Sequence, residues 1–451
     1  MKLFFVSPWA RCLLPALLLL AGGGAARAQN LAFVPNQPAI LVGAGPTCVI
    51  AADVNGDGLI DLVTADNGSN ILTVLTNMGL GVFAVGTNVT VGNGPYSVAA
   101  ADLNGDGAMD LVCVNEFDGA ADGFPGTLTV LTNAGGLRFV QAALITVGDL
   151  PLWVAVADFN GDGKPDLVCA NSGDTTLTVL TNTGNATFLP SSTNTVGGNP
   201  YFVLAADVNG DGYIDLVSAN FNVGSVTVLT NNGRGQFTLA STCSTGGTPS
   251  SIATINGYIA GLPDLVVTDS GGDTLTVLNN QGAGHFAISS VPTVGGNPQS
   301  VVVADVSGDG FPDLISANSF GNTLTVLTND GFGRFRLCAL PGTGNTPYCA
   351  ATADVNGDGK VDLICANLGD DTVTVLTNSG QVLLTQPALV TSTGFEVTLS
   401  GAIGHTNVIQ VSTDLLTWTP LLTNVNVTNF PWRITDPVTN LSRRYYRAIT
   451  P

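Results

Sequence analysis

Short runs of apolar and alternating residues recur along the chain in a constant order. One unit has apolar runs at residues 203–206 and 216–219, an alternating run at 225–230 and a fourth run that begins at Phe237. Val, Leu and Thr dominate these runs, as they do in β-strands. No segment has a sustained helical period. The pattern predicts an all-β protein with four short strands in each repeat.

The repeat is about 50 residues long and occurs seven times. Most units begin with Val-Gly-x-x-Pro, as at residues 196–200. Seven units of four strands are typical of a seven-bladed β-propeller, with a linear solenoid as the alternative. Residues 31–42 resemble an isolated fourth strand, and the last unit lacks one. Pairing these two segments closes the ring and leaves no open sheet edge.

A polar loop, Asp-x-Asn/Ser-Gly-Asp-Gly-x-x-Asp, separates the first and second strands of six units. Calcium takes six to eight oxygen ligands, and glycines at loop positions 4 and 6 permit the positive φ angles of a sharp turn. We expect one calcium ion in each loop, about six in all. The predicted ligands are the side chains at positions 1, 3, 5 and 9 and the carbonyl at position 7: Asp53, Asn55, Asp57, Leu59, Asp61, Asp102, Asn104, Asp106, Ala108, Asp110, Asp158, Asn160, Asp162, Lys164, Asp166, Asp207, Asn209, Asp211, Tyr213, Asp215, Asp305, Ser307, Asp309, Phe311, Asp313, Asp354, Asn356, Asp358, Lys360 and Asp362.

The alternative is that these loops are ordinary hairpin turns. A turn alone has no need of three carboxylates, and two such charges 4 Å apart repel by about 4 kcal/mol at an effective dielectric constant of 20. The fifth unit is degenerate, because Thr254 and Tyr258 replace the aspartates at positions 1 and 5 and two extra residues precede Asp264. We expect no metal there.

The chain has 33 acidic and 13 basic residues, for a net charge of −20. This balance excludes a nucleic-acid partner, which requires a basic surface. It also argues against electrostatic binding to a membrane surface.

The N-terminal residues 1–28 have the pattern of a secretory signal peptide. Lys2 and Arg11 precede an apolar run at 12–21, and Ala26-Arg27-Ala28 fits the cleavage pattern. The run is too short for an ordinary membrane span. We therefore expect a secreted or cell-surface protein without a transmembrane segment in the mature chain.

Seven cysteines follow residue 28. Cys113, Cys169 and Cys365 share a repeat position that otherwise holds small side chains, which favours packed thiols. Cys48 and Cys349 share another position, in the first and last repeats. They either pair across the seam of the ring or remain free.

The metal loops, together with Phe237 and the Gly-Gly-Thr-Pro at 246–249, resemble FG-GAP repeats, also classed as VCBS-type repeats. The resemblance covers about residues 31–385 and implies that residues 29–385 form the seven-bladed propeller of integrin α subunits. It further implies that the calcium loops lie on one face and that ligands bind the opposite face. Integrin α subunits carry an aromatic cup at the channel mouth that receives a cationic side chain of a partner.

Residues 386–451 depart from the repeat and have fewer acidic residues. Strand-like alternation persists there, and the closing Arg443-Arg444-Tyr445-Tyr446-Arg447 resembles a small C-terminal β-sandwich module of secreted bacterial proteins. We expect a separate β-sandwich-like domain, for which a solubilising or spacing role is the simplest interpretation.

Two features are expected on the face opposite the calcium loops. Aromatic residues follow the Val-Gly-x-x-Pro turns, where they either form a ligand-binding cup or hold neighbouring blades apart. An insertion at residues 116–126 is either a ligand loop or a tolerated surface insertion. The candidate ligand residues are Tyr96, Trp153, Tyr201, Tyr348, Glu116, Phe117, Asp118, Asp122 and Phe124.

These features favour an extracellular adhesion or recognition module for protein or glycan ligands. The mature chain has only two histidines, His285 and His405, and neither belongs to a repeated polar cluster. The acids and bases that an enzyme needs are therefore not evident. A carbohydrate-active lyase or hydrolase on the same scaffold, and a purely structural surface protein, remain as alternatives.

Overall fold

The computed structural model describes residues 31–117, 125–257 and 261–381, together with short strands between residues 383 and 449. The predicted signal peptide lies outside the described residues, as do Asp118, Asp122, Phe124 and Tyr258. Apart from one short 3-10 turn at Phe221–Val223, the regular structure is β-strand. In the part of the chain described, no helix has the length and apolar character needed to cross a membrane.

Seven antiparallel sheets form the blades of a β-propeller. The innermost strands are Pro46–Ala52, Pro95–Ala101, Pro151–Ala157, Pro200–Ala206, Ile252–Asn256, Pro298–Ala304 and Pro347–Ala353. The second strands are Asp61–Asp66, Asp110–Asn115, Asp166–Asn171, Asp215–Asn220, Pro263–Asp269, Asp313–Asn318 and Asp362–Asn367. The third strands are Ile71–Asn77, Pro125–Asn133, Thr176–Asn182, Ser225–Asn231, Thr274–Gly282, Thr323–Asn329 and Thr372–Gln381. The outer strands of the first six blades are Phe83–Thr90, Phe139–Asp149, Phe188–Thr195, Phe237–Ser244, His285–Ser290 and Phe335–Ala339.

The N-terminal segment supplies the outer strand of the seventh blade. Leu31–Pro35 and Ile40–Leu41 both pair antiparallel with the third strand of that blade, Thr372–Gln381. This pairing joins the two ends of the repeat array and closes the ring. The predicted propeller and its closure by an N-terminal strand are confirmed, and the linear solenoid is wrong.

The core lies between the blades and is built from the inner three strands. The second strand is buried along its whole length in six blades, as in Asp110–Asn115, and in the fifth it is buried from Asp264 onward. Both faces of such a strand pack against neighbours, so it consists of continuous apolar residues between polar ends. The outer strands alternate between partly buried and exposed residues, as Phe188–Thr195 does. Burial of the inner strands fixes the position of the loops at both faces of the ring.

Two further antiparallel sheets follow the propeller. One contains Leu383–Leu384, Leu389–Thr391, Gly394–Ser400 and Trp432–Asp436. The other contains Asn407–Ser412, Thr419–Asn424 and Tyr445–Ile449. Their strands agree with the expected β character of residues 386–451, and the sandwich arrangement remains a prediction.

Candidate functional site

Each acidic loop is closed by its own side chains. In the first loop, Asp53 Oδ1 accepts hydrogen bonds from the N–H groups of Gly56 (2.7 Å) and Asp57 (3.2 Å), and Oδ2 accepts one from Gly58 (2.8 Å). Asn55 Oδ1 accepts a further bond from the Asp57 N–H (2.8 Å). The side chains at positions 1 and 3 therefore turn inward and organise the loop backbone.

The two glycines of this loop allow a backbone conformation that other residues disfavour. Gly56 and Gly58 have φ angles of +79° and +87°, in the left-handed region that side chains with a Cβ disfavour. A Cβ added at either position would meet no atom within 4 Å. Space is available, so backbone conformation alone accounts for the two glycines.

The carboxylate at loop position 9 has a structural role in every blade. Asp61 is fully buried, and it accepts hydrogen bonds from the N–H groups of Asn77 (2.9 Å) and Val54 (3.3 Å). These bonds tie the loop to the end of the third strand. Desolvation raises the pKa of Asp61, and the nearby charge of Asp57 raises it further. Loss of water around the corresponding carboxylates raises the pKa of Asp215, Asp313 and Asp362 to about 6.

The degenerate fifth blade separates this structural role from metal binding. Asp264 keeps the bond from the Asn280 N–H, at 2.7 Å, although Thr254 stands at position 1. A position-9 aspartate is thus retained where the other loop carboxylates are lost. The anchor to the third strand is needed whether or not a blade carries the acidic loop.

The loops have the right donors for calcium, namely carboxylate, amide and backbone oxygens. In the third and seventh blades a lysine at position 7 pairs with the position-5 carboxylate, Lys164 with Asp162 at 3.0 Å and Lys360 with Asp358 at 2.9 Å. Within the described residues, no group of three or more His, Cys, Asp or Glu side chains is arranged to hold a metal ion. The composition of the loops therefore fits calcium, and the binding of calcium to them remains a prediction.

An asparagine at the end of each third strand was not predicted as a functional residue. In six blades its Nδ2 donates to a carbonyl of the preceding blade's loop at 2.7–2.8 Å: Asn77 to Val355, Asn133 to Val54, Asn182 to Leu103, Asn231 to Phe159, Asn280 to Val208 and Asn378 to Val306. In the sixth blade, Asn329 donates to Pro312 within its own blade. The sequence signal was the recurring Asn after Val-Leu-Thr or Val-Leu-Asn.

At the opposite end of the inner strands, three tyrosines meet at the channel mouth. The hydroxyl of Tyr96 hydrogen-bonds to those of Tyr201 and Tyr348, and the last two are 2.7 Å apart. The Tyr96 ring is edge-on to both partners, with centroids 6.0 and 6.1 Å away. Burial raises the pKa of Tyr96 and Tyr348, so both hydroxyls stay protonated. Three blades far apart in sequence thus contribute one polar aromatic cluster, the tyrosine cluster.

Trp153 takes a different position from these tyrosines. Its ring stacks on Phe202, with centroids 4.3 Å apart and an interplanar angle of 30°. Trp153 packs against the apolar core between the third and fourth blades, and Phe202 packs against the core between the fourth and fifth. The alternative in which aromatic residues pack between neighbouring blades describes Trp153 and Phe202, whereas a ligand-binding cup of Tyr96, Tyr201 and Tyr348 stays a prediction.

The described start of the insertion lies beside the tyrosine cluster. Glu116 is partly buried, and burial raises the pKa of its carboxyl to about 7 against an opposing hydrogen bond from the Asn67 side chain. Its charge is also among the influences that raise the pKa of Tyr348, after desolvation and Tyr201. Phe117 is half exposed, and a Cβ on Gly94 would lie 2.5 Å from its ring. The N–H groups of Glu116 and Phe117 donate to the carbonyls of Gly94 (2.9 Å) and Asn93 (3.0 Å), in the turn that precedes Tyr96.

Charge is distributed unequally between the two faces of the propeller. The strand ends and turns on the tyrosine side carry eight carboxylates in the described ring: Asp66, Glu116, Asp149, Asp174, Asp269, Asp273, Asp370 and Asp371. The six basic residues of the same ring lie on the loop side: Arg138, Lys164, Arg234, Arg334, Arg336 and Lys360. In the described part of the propeller, the tyrosine face is thus acidic without any compensating Lys or Arg.

Comparison with known proteins identifies the repeat. The family model described as FG-GAP-like repeat matches residues 37–113, 119–169, 158–218, 207–256, 261–316 and 305–365. Among curated proteins, none matches the chain.

Solved structures share the fold at low sequence identity. A chain in the crystal structure of BBS1N in complex with ARL6DN, soaked with mercury, is 14% identical with a TM-score of 0.56, over 78% of this chain and 97% of that one. A protein from Lactobacillus plantarum is 14% identical with a TM-score of 0.50, over 85% of this chain and 97% of that one.

Proposed function

Because this chain belongs to the FG-GAP-like repeat family, we propose that it is a secreted, calcium-stabilised recognition module that binds an extracellular partner at its tyrosine face. The ligand is a protein segment that presents a Lys or Arg side chain. The observation that carries the proposal is the tyrosine cluster at the channel mouth with Glu116 beside it.

The chemistry of the mouth suits a cation. Tyrosine rings attract cations through their negative faces, and hydroxyl oxygens accept hydrogen bonds from ammonium or guanidinium groups. Glu116 has no salt-bridge partner among the described residues. A cationic side chain of a ligand would supply that partner and favour the ionised carboxylate.

The charge of the face supports the same class of ligand. Eight carboxylates without a neighbouring base create a negative potential that attracts basic segments and raises their association rate. A neutral glycan would gain nothing from this distribution. The face therefore favours a basic protein segment over a neutral sugar.

Calcium has a separate part in the proposal. When bound, it supplies positive charge against the clustered loop carboxylates. Asp53, Asn55 and Asp57 would hold it in the first loop, with the carbonyl of Leu59, and the equivalent residues would do so in the other five. The position-9 aspartate keeps its anchoring bonds and adds negative charge to the same loop. Calcium would thus stabilise the ring at the face away from the ligand.

A peptide and glycan array, probed with the protein in calcium, tests the ligand class. Bound peptides should contain Lys or Arg, and binding should weaken with increasing salt because exposed charges are screened. For a peptide found in this way, Tyr96→Phe and Glu116→Gln should each weaken affinity about tenfold. Tyr213→Phe is the matched control, since Tyr213 is exposed on the loop side. Selection of neutral glycans, with affinities unchanged by Glu116→Gln, would contradict the proposal.

A further inference from the structure

The seam between the first and seventh blades contains two buried thiols. Cys48 lies on the innermost strand of the first blade and Cys349 on that of the seventh. They are 0% and 6% exposed, and both belong to one apolar cluster. The ring closes at this seam, because the N-terminal strand Leu31–Pro35 completes the seventh blade before the chain continues into the first.

The repeat geometry brings these two side chains together. The same strand position holds Ser97, whose Oγ accepts a hydrogen bond from the N–H of Val154 on the next blade (3.1 Å). Ser300 makes the equivalent bond to Ala350 (3.2 Å). Side chains at this position thus reach the neighbouring inner strand around the ring. Trp153 and Phe202 occupy it in the third and fourth blades and are stacked on each other.

At the seam, the residue at this position is Cys349 on the seventh blade, and the neighbouring strand of the first blade has Cys48 at the same position. The thiol of Cys349 donates to the carbonyl of Val49, the residue after Cys48, at 3.7 Å. The Cys48 thiol contacts the carbonyl of Val98 on the second blade at 3.9 Å. We propose that Cys48 and Cys349 form a disulfide that covalently joins the first and seventh blades.

The reaction is a thiol–disulfide exchange with an external disulfide, either a small molecule such as oxidised glutathione or a disulfide oxidoreductase. One cysteine thiolate attacks the external disulfide and forms a mixed disulfide, releasing one thiol. The second cysteine then loses its proton and displaces the remaining external thiol. Two protein thiols are oxidised to one disulfide, and one external disulfide is reduced to two thiols.

Burial places this reaction before the ring has closed. Once the first and seventh blades have packed, neither sulfur is accessible to an external disulfide. The cross-link would then act beside the strand pairing of Leu31–Pro35 with Thr372–Gln381, which closes the same blade from its outer edge. A covalent bond between residues so distant in sequence restricts the unfolded chain and raises stability.

The test is refolding of the full chain with oxidised and reduced glutathione, followed by alkylation of free thiols and peptide mapping without reductant. The expected product joins the peptides of Cys48 and Cys349 in most of the folded protein. The same chain refolded with a reductant, which keeps both thiols, should have a Tm lower by about 5 °C or more. Cys48→Ser and Cys349→Ser should each remove the cross-link and the effect of the reductant.

Cys169→Ser is the matched control, because Cys169 is a buried thiol in the core between other blades. This variant should keep both the cross-link and the effect of the reductant. Recovery of Cys48 and Cys349 as separately alkylated peptides from the refolded wild-type protein would overturn the proposal. A Cys48–Cys113 cross-link in its place would overturn it as well. Both outcomes are read on the wild-type chain and do not depend on the folding of any variant.

Discussion

The two faces of this propeller differ in how regularly their residues recur. On the loop face the same acidic motif occurs in six blades, and its position-9 aspartate occurs in all seven. On the tyrosine face, the strand position of Tyr96 holds tyrosine in only three blades, and Glu116 belongs to an insertion in one blade. A feature that every blade needs serves the architecture of a blade. A feature that few blades carry has no such architectural need, and we propose that it serves recognition of a partner by the assembled ring.

Removal of calcium is the largest expected perturbation of the loop face. Six sites at ten times their dissociation constant contribute about 1.4 kcal/mol each, or roughly 8 kcal/mol in all. We expect a chelator to lower Tm clearly, calcium to restore it, and magnesium to restore less because it demands a stricter octahedral geometry. Thermal unfolding followed by circular dichroism checks this. An unchanged unfolding curve in chelator would show that the loops need no metal.

Trp153→Ala tests whether this aromatic residue belongs to the fold or to the ligand face. Loss of its packing on Phe202 should destabilise the protein by about 3 kcal/mol. Affinity for a peptide bound at the tyrosine cluster should change little in the fraction that remains folded. Chemical denaturation together with titration calorimetry measures the two effects. Unchanged stability with lost affinity would move Trp153 to the binding surface.

Asp264→Ala tests whether the position-9 aspartate of the fifth blade stabilises the fold without binding metal. The substitution leaves the Asn280 N–H without its carboxylate partner, at a cost of about 2–3 kcal/mol. The number of bound calcium ions should stay near six, whereas Asp57→Ala should lower it by one. Native mass spectrometry counts the ions. A wild-type count of seven would show that the fifth loop also binds metal.

The asparagines between blades allow a matched pair of substitutions. Asn133→Ala removes a bond to the neighbouring blade and one within its own blade. Asn329→Ala removes the bond to Pro312 within its own blade. Asn133→Ala should therefore cost about 1 kcal/mol more in free energy of unfolding. Equal losses would show that the bonds between blades add nothing to stability.

Substitution of Glu116 should have the smallest effect. It should change how the free energy of unfolding depends on pH. Its pKa is about 7 in the folded protein against an ordinary value of 4.5. The folded state therefore holds the proton more tightly, and this carboxyl's contribution to stability falls as pH rises from about 4.5 to 7. Glu116→Gln should remove this carboxyl's part of the decline and leave the part due to Asp215, Asp313 and Asp362. Asp330→Asn on the loop face should leave the whole decline. Denaturation midpoints measured between pH 4 and 8 test the difference.

The sequence predicts the repeated features of this molecule well, because each occurs often enough to be distinguished from chance. Blade order, the strand pattern and ring closure by residues 31–42 all follow from the spacing of the repeat. Features that depend on contacts between blades were harder to predict. Asn77 follows a strand and precedes a turn, where asparagine is common for local reasons. Nothing local indicates its bond to Val355 across the seam.

The aromatic residues illustrate the same limit at the scale of a single residue. Tyr96 and Trp153 both follow the turn at the start of an inner strand, and the sequence groups them together. In the structure Tyr96 is one residue after the strand's proline and Trp153 is two residues after it. Successive side chains of a strand point to opposite faces. Tyr96 therefore reaches the channel mouth, whereas Trp153 packs between blades.

The division of labour between the two faces is tested most directly by one pair of variants with the same ligand. Affinity for a Lys- or Arg-containing peptide found on the array is measured by titration calorimetry in saturating calcium, for Tyr96→Phe and for Asp57→Ala. We predict that Tyr96→Phe loses about tenfold in affinity, with a Tm lowered only by the loss of the hydroxyl's bonds to Tyr201 and Tyr348. Asp57→Ala should bind one calcium ion fewer and melt earlier, yet keep the affinity of the wild type. Lost affinity in Asp57→Ala together with wild-type affinity in Tyr96→Phe would contradict the account.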